Sequence, residues 1–496
     1  MIAWFRSRDK GGEEKQPVML KCGTGFRKLP WFCTLALLVG AELLVTACRP
    51  PVGPTSGTLA VTPVPPLSPV TTDTPMAHPT DTPSSWPHVQ GVGGQIGAGV
   101  DAGVAKVACA ELGRDAVAAT LLWVRWGDID KGSGSYDWAQ LDSQVDTLRA
   151  CGMEVALHVQ ARQSQYQPSA MPKNPDDYRH FLNELATHLK GRVRRYSIEN
   201  EAVGGSILWS DTPENYFQLL DLAYATIKAA DPDAIVLESG ISSGALGVMV
   251  AYSYYQSGQL QAALSLYQDM ITDYGPTAPQ RLPRTDAELK VAFQLPMAQR
   301  ALEWMPLMVK HQGSYDALQI HFYGPWQDLP LVMQWLKTQG IDKPFELWEV
   351  AKHARDSASF DETTHAEETV RLLVTAAGEG SRFSIFTRYM AWPATQLPGL
   401  VTSQGPRPAE TAFRVVAQNL NGFQGVERMD LGPSVWGYRF TRARGDLYVL
   451  WSRDGEATVR LPLEGLKVTV TDIQAQSKEA DPANLSIGPS LVFVTP

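Results

Sequence analysis

The chain reads as an α/β protein, a (β/α)8 TIM barrel followed by a small all-β, sandwich-like domain, and three features predict this. Between Gly91 and about Gly422, eight short β-rich runs alternate with helical stretches, the order that builds a parallel sheet from βα units. Eight strands, each followed by a helix, close into a ring rather than an open sheet. After Gly422 the helical stretches stop and only alternating strands remain. A doubly wound nucleotide-binding sheet is the competing architecture, but GQIGAG in the first strand has the wrong glycine spacing for a phosphate loop.

Ahead of the barrel, the first ninety residues are of another kind. From Met19, a basic stretch with Lys21, Arg27 and Lys28 precedes the apolar run WFCTLALLVGAELLVTA, broken only by Glu42, and then Cys48. This is the order of an export signal. The tetrad Val45, Thr46, Ala47, Cys48 resembles the lipobox of bacterial lipoproteins, which implies a signal peptide over 1–47 and lipidation at Cys48; an uncleaved membrane anchor is the alternative. Either reading puts the body of the protein outside the cytoplasm, tethered to a bacterial membrane. The start is Met1 or Met19, since residues 1–18 add nothing that an export signal needs. Residues 48–88 are dominated by Pro, Thr and Ser, cannot bury a core, and read as an extended tether.

The barrel is expected over 89–422, with strands in GGQIGAG, LLWVRW, MEVALHV, RYSIEN, AIVLESG, ALQIHFY, FELWEV and RFSIFTRYMAW. Helical spacing of apolar residues marks LDSQVDTLRACG, DDYRHFLNELATHLK and AEETVRLLVTAAGEG between them. The connection at 244–316 is oversized, with at least two helical pieces where one would suffice, and either shapes the cleft or acts as a lid on the mouth side, or is a stabilising excursion without substrate contact. The remaining span, 423–496, carries strands in SVWGYRFTRA, DLYVLWSR, EATVRLPL, LKVTVTDI and SLVFVT; Trp436, Tyr438, Tyr448 and Trp451 there are expected in its core rather than on a sugar platform.

Five cysteines are too few for a disulfide scaffold, and Cys22, Cys33 and Cys48 belong to the signal region. Cys109 and Cys151 either pair in an oxidising compartment or remain reduced and buried. Removing 1–47 lowers Lys plus Arg from 43 to 36 and Asp plus Glu from 52 to 48, for a net charge of about −12. An acidic surface without basic clusters argues against nucleic acid as a partner. The sequence offers no His and Cys cluster at metal-ligand spacing and no serine elbow, so neither metal, cofactor nor acyl transfer is expected.

Chemistry is read from two glutamates, Glu201 in RRYSIENEA and Glu349 in PFELWEVA, each ending a β-rich run, 148 residues apart. The C-terminal ends of barrel strands converge on one mouth, so these carboxylates can face each other there. Two facing carboxylates suit glycosidic bond cleavage, one as proton donor and one as nucleophile, at about 5 to 5.5 Å for retention. Glu199 and Glu346 are rivals, expected deeper or on the outer face. His158 and Gln160 in ALHVQ are further candidates for the mouth.

RRYSIENEA resembles the fourth-strand motif of clan A glycoside hydrolases, in which Asn-Glu closes the strand. The resemblance implies Glu201 as acid/base and Asn200 as the partner of the sugar 2-hydroxyl. PFELWEVA resembles the seventh-strand motif and implies Glu349 as nucleophile. VRWGDIDKGSGSYDWAQLD is similar to the second-strand segment, which implies Arg125 as a charge partner near the nucleophile. IHFYG resembles the sixth-strand segment, implying His321 and Tyr323 at the mouth with the tyrosine bonded to the nucleophile. Trp392 in YMAWP holds the position of the tryptophan that floors the sugar subsite. The likeness is nearest to family 39 and to parts of family 5. Two departures stand out: Glu199 precedes Asn200 where the clan has an aromatic, and Trp348 precedes Glu349 where it has a small or hydroxyl residue.

The expectation is therefore a retaining β-glycoside hydrolase acting on an oligo- or polysaccharide, substrate-binding through Asn200, Arg125, His321, Tyr323, Trp392 and His158, monomeric and without cofactor. The alternatives are a catalytically inactive carbohydrate-binding lipoprotein on the same barrel and a solute-binding lipoprotein, which would have two open-sheet lobes.

Overall fold

A computed structural model describes residues 93–99, 117–132, 134–163, 167–205, 208–271, 282–351, 361–387, 389–390, 398–463 and 467–496, all within one compact unit, Leu67–Pro496. The expected signal region and tether, with Cys48, lie outside the described residues, as do Cys109 and Trp392. No described helix is long and apolar enough to cross a membrane.

Eight parallel strands form the ring: β1 Gln95–Ala98, β2 Ala119–Arg125, β3 Glu154–Gln160, β4 Arg195–Ile198, β5 in two pieces, Ile235–Leu237 and Ile241–Ser242, β6 Leu318–Phe322, β7 Phe345–Val350 and β8 Phe383–Phe386. Each pairs with its sequence neighbour, β8 pairs back onto β1, and a bridge from Leu237 to Ala317 joins β5 to β6. One closed ring thus stands where a two-lobed solute-binding fold would have two open sheets. Gly97 sits where a Cβ would lie 2.2 Å from the Ala119 carbonyl, so the close approach of β1 to β2 requires glycine.

Helices between the strands are α1 Ala139–Ala150, α2 Pro175–Leu189, α3 Pro213–Ala230, α4 Ser243–Gln256, α5 Leu260–Ile271, α6 Asp286–Phe293, α7 Pro296–Lys310, α8 Leu329–Thr338, α9 Glu362–Gly378 and α10 Pro408–Leu420. Local chemistry fixes their starts. Asn174 and Thr212 accept backbone N–H bonds ahead of α2 and α3, each with proline as the next residue. Cys151, just past α1, is disulfide-bonded, which removes the reading of it as a reduced thiol. The long connection holds α4, α5, α6 and α7, in line with the expectation of at least two helical pieces.

Side chains fill the ring in layers. At the base, buried Arg195 reaches both oxygens of Glu346 at 3.0 and 3.1 Å and also bonds Glu154. Above lies an apolar layer of Ala119, Leu121, Ala156, Leu237, Ala317, Trp348 and Ile385. Trp348 is fully buried, and its indole N–H donates to Glu346 at 2.9 Å. The functional groups stand on top of this plug.

The C-terminal sheet orders six strands: β9 Gly425–Arg428, β10 Val435–Thr441, β11 Leu447–Ser452, β16 Val492–Thr495, β13 Val468–Asp472 and β14 Ser477–Ala480. A second layer pairs β12 Ala457–Val459 with β15 Leu485–Ile487. Alternation along the strands assigns the two faces. Trp436, Tyr438, Phe440, Val449, Trp451 and Phe493 join the core of the barrel, whereas Val435, Tyr448, Leu450 and Val494 pack with Val459, Leu485 and Ile487 in a separate core. All four aromatics are buried, as expected, but only Tyr448 lies in the domain's own core, while Trp436, Tyr438 and Trp451 pack with the barrel.

Candidate active site

Glu201 follows β4 through a strained segment. Glu199 and Glu201 both take left-handed backbone conformations, φ 69° and 43°, which non-glycine residues hold only when their surroundings impose it. Three bonds impose it here: Glu199 Oε1 accepts from Ala161 N at 2.6 Å, Glu201 N donates to Ser239 O at 2.7 Å, and Ala202 N donates to Ser239 Oγ at 3.1 Å. The insertion adds a fourth support. Arg300 on α7 donates to the carbonyls of Ala202 at 3.0 Å and Asp211 at 2.9 Å, so the residue after Glu201 is braced from outside the ring.

Glu349 arrives by a different route. The β6–β7 pairing steps from Ile320–Leu347 to His321–Glu349 and skips Trp348. An extra residue at that point re-aims the chain, so Glu349 stands level with His321 although Glu346 and Trp348 already point into the ring. The bulky residue ahead of the glutamate is thus accommodated as part of the barrel plug.

The two carboxylates meet on one imidazole. His321 Nδ1 lies 2.9 Å from Glu201 Oε1 and 3.6 Å from Glu349 Oε2, so these two oxygens are separated by no more than about 6.5 Å. Tyr323 OH donates to Glu349 Oε2 at 2.5 Å and lies 3.2 Å from Thr387 Oγ1. Burial alone would hold the His321 ring neutral, but Glu349, Glu201 and Glu238 outweigh it and raise its pKa. When protonated, the ring donates from both nitrogens. The Gln319 amide lies 2.6 Å from Nε2, and its oxygen, otherwise buried without a partner, is the group that fits there after an amide flip.

Around this pair, Asn200 is buried with an unpartnered Oδ1. His158 is fully buried, its Nδ1 lies 3.4 Å from Glu199 O, its Nε2 is unpartnered, and burial lowers its pKa to about 3, so the ring is neutral. Arg125, expected near the nucleophile, makes an ion pair with Asp128, three residues on, at 3.3 Å. The rivals occupy deeper positions. Glu346 is locked to Arg195, and Glu199 is buried beside Ala161, its pKa pushed up to about 7 by burial. Glu238, in the break of β5, is likewise pushed up to about 8 by burial while accepting from Gln319 N and Gly240 N, each at 3.0 Å.

One cluster was not legible as spacing in the sequence. His158, His321 and Glu349 bring three ligand atoms within 4.8 Å of one another, a nitrogen and oxygen set of the kind transition metals use. His321 Nδ1 and Glu349 Oε2 are both already engaged by neighbouring side chains. Trp123, which sequence reasoning passed over as one more apolar strand residue, also stands beside this group, stacked on His158 at 4.5 Å.

No family model matches the chain, and no curated protein matches its sequence. Solved structures do match. A family 39 glycoside hydrolase from Bacteroides cellulosilyticus WH2 is 14% identical with a TM-score of 0.54, over 81% of each chain. A glucosidase from Croceicoccus marinus is 12% identical with a TM-score of 0.52, over 84% of this chain and 98% of that one. A family 39 β-xylosidase from Caulobacter crescentus is 15% identical with a TM-score of 0.51, over 82% and 97%. At these identities the likeness establishes the fold, a (β/α) barrel with an additional β region, and these neighbours are glycoside hydrolases.

Proposed function

We propose that the chain is a retaining β-glycoside hydrolase in which Glu349 is the nucleophile and Glu201 the acid/base. The observation that carries this reading is the single His321 nitrogen facing both carboxylates, which keeps their nearer oxygens within about 6.5 Å. Retention needs a separation of about 5 to 5.5 Å, whereas inversion needs about 6.5 to 9.5 Å to admit a water. Glu349 attacks the anomeric carbon as Glu201 gives its proton to the departing glycosidic oxygen, leaving an ester between sugar and enzyme. Glu201, now a carboxylate, takes a proton from water as the water oxygen attacks the same carbon and frees Glu349. Tyr323 orients Glu349, His321 faces both carboxylates and offsets their negative charge when protonated, and Asn200 Oδ1 and His158 Nε2 supply unpartnered polar atoms for sugar hydroxyls.

The substrate class proposed is a β-linked oligo- or polysaccharide, in keeping with the fold neighbours, and no step calls for a cofactor. The lipobox resemblance at Cys48 and the Pro/Thr/Ser tether support an enzyme held at the outer face of a bacterial membrane by lipid.

Hydrolysis of a panel of 4-nitrophenyl β-glycosides by the purified protein tests the roles. Glu201→Ala and Glu349→Ala should each lower kcat by at least about a thousandfold. Azide should restore product formation in Glu349→Ala as the α-glycosyl azide. Unchanged turnover in either variant removes that residue from the chemistry, and a wild type silent on the whole panel favours the carbohydrate-binding alternative.

A further inference from the structure

Along β2, the side chains of Ala119, Leu121 and Trp123 climb the inside of the ring, the first two buried in the apolar plug. Trp123 does not continue that burial. It is 42% exposed, the largest aromatic among the exposed apolar side chains of the described residues, although it sits on an interior strand position. One face of its indole is covered, since the His158 ring stacks on it at 4.5 Å and 22°. His158 is itself held edge-on against Trp348 at 5.1 Å and against His321 at 6.1 Å. The indole is thus backed on one face by His158 while 42% of Trp123 is exposed.

A second, independent observation points to a ligand. His158 Nε2 is fully buried without a partner, and a ring nitrogen of His158 lies within 4.8 Å of ligand atoms on His321 and Glu349. A partly exposed aromatic ring and an unpartnered imidazole nitrogen thus adjoin the carboxylate pair. Pyranose rings offer the matching surface, with axial C–H groups on one face and hydroxyls at the rim. The C–H face gains apolar burial and ring contact on an indole, and the rim hydroxyls reach polar atoms at its edge.

We propose that Trp123 is the stacking platform for a β-linked pyranose bound at the Glu201–Glu349 site, with His158 as both its backing and the partner of a rim hydroxyl. This rests on the reading of that site as a sugar site. It adds a specificity-determining residue on the second strand, a position from which only Arg125 was expected to contribute.

The test separates sugar binding from turnover. In a Glu349→Ala background, calorimetric titration with cellobiose and with xylobiose gives a Kd, and Trp123→Ala is added to that background. The expected result is a Kd weakened about tenfold or more for the sugar that binds, with Trp123→Phe within about threefold of the parent. In the otherwise wild-type protein, Trp123→Ala should raise KM by a similar factor while kcat changes less. An unchanged Kd on Trp123→Ala, or no binding of either sugar by the parent, overturns the platform. A Trp123-dependent Kd in a protein whose wild type hydrolyses nothing sinks the hydrolase reading and leaves the platform standing.

Discussion

At the scale of single residues, the buried acids under the site make stability depend on pH in a direction that can be worked out. Burial raises Glu199 to about 7 and Glu238 to about 8, from a usual value of 4.5. The folded chain therefore keeps protons that the unfolded chain releases, so this contribution is complete below about pH 4.5 and is lost as pH rises through 7 and 8. Raised His321 acts in the same sense above pH 6.5. His158 and His365, lowered by burial to about 3 and about 4, act in the opposite sense, but only below their usual 6.5. Between pH 6.5 and 8 the raised groups act unopposed, and Tm should fall across that window. Glu199→Gln keeps an oxygen for Ala161 N and removes the buried ionisable carboxyl, so its Tm should decline less steeply. Identical slopes for the two proteins in a calorimetric pH series would refute this account of Glu199.

At the scale of elements, the long connection after β5 is tied to the residue it most affects. Arg300 on α7 holds the carbonyls of Ala202 and Asp211, and the left-handed Glu201 immediately precedes Ala202. Arg300→Ala should lower kcat/KM on a hydrolysed aryl glycoside by about ten- to a hundredfold with little change in Tm, because a small misplacement of a catalytic group is expensive in rate. Equal kcat/KM for variant and wild type would reduce α7 to packing. No periodicity in the insertion points to this contact, since the guanidinium bonds backbone carbonyls about ninety residues earlier in the chain.

The strands were legible where alternation or an apolar run marked them, which covers the whole ring and β10, β11, β12, β13 and β16. Those missed lack that signal. Ser477–Ala480 is SKEA, with no apolar stripe, Gly425–Arg428 has a single apolar side chain, and Leu485–Ile487 spans three residues. Among the candidates, the structure brings Glu201, Glu349, His321 and Tyr323 together, each within the last two residues of a strand or just past its end. Trp123 was not legible, because in LLWVRW an indole that faces open space and one that fills a core have the same letter. Arg125 also pairs with Asp128, a local carboxylate that strand position alone does not reveal.

At the scale of the whole molecule, the barrel and the C-terminal sheet share one interior. Trp326, just after β6, meets Trp436 at 5.1 Å and Trp451 at 5.3 Å, both edge to face. Tyr438 OH donates to Glu379 at 2.9 Å, and its ring lies so near Gly378 that a Cβ there would fall 2.4 Å away. Beneath the ring, Arg382 donates to the carbonyls of Phe423 at 2.9 Å and Gln424 at 2.6 Å, clasping the segment that leads into the sheet. A chain ending at residue 422 would expose Trp326 and Gly378 and leave Arg382 without these acceptors. It should bind a hydrophobic dye, aggregate, and melt well below the full protein in a thermal scan. A soluble truncated chain with an unchanged melting curve would mean that the two parts fold independently.

That shared interior bears on engineering and on descent. The sheet turns Trp436, Tyr438 and Trp451 toward one particular neighbour, shaped by Trp326 and the end of α9. Grafted onto an unrelated catalytic scaffold, it would arrive with a bare aromatic flank and nothing cut to receive it, so this pair of modules is expected to have been inherited together rather than shuffled.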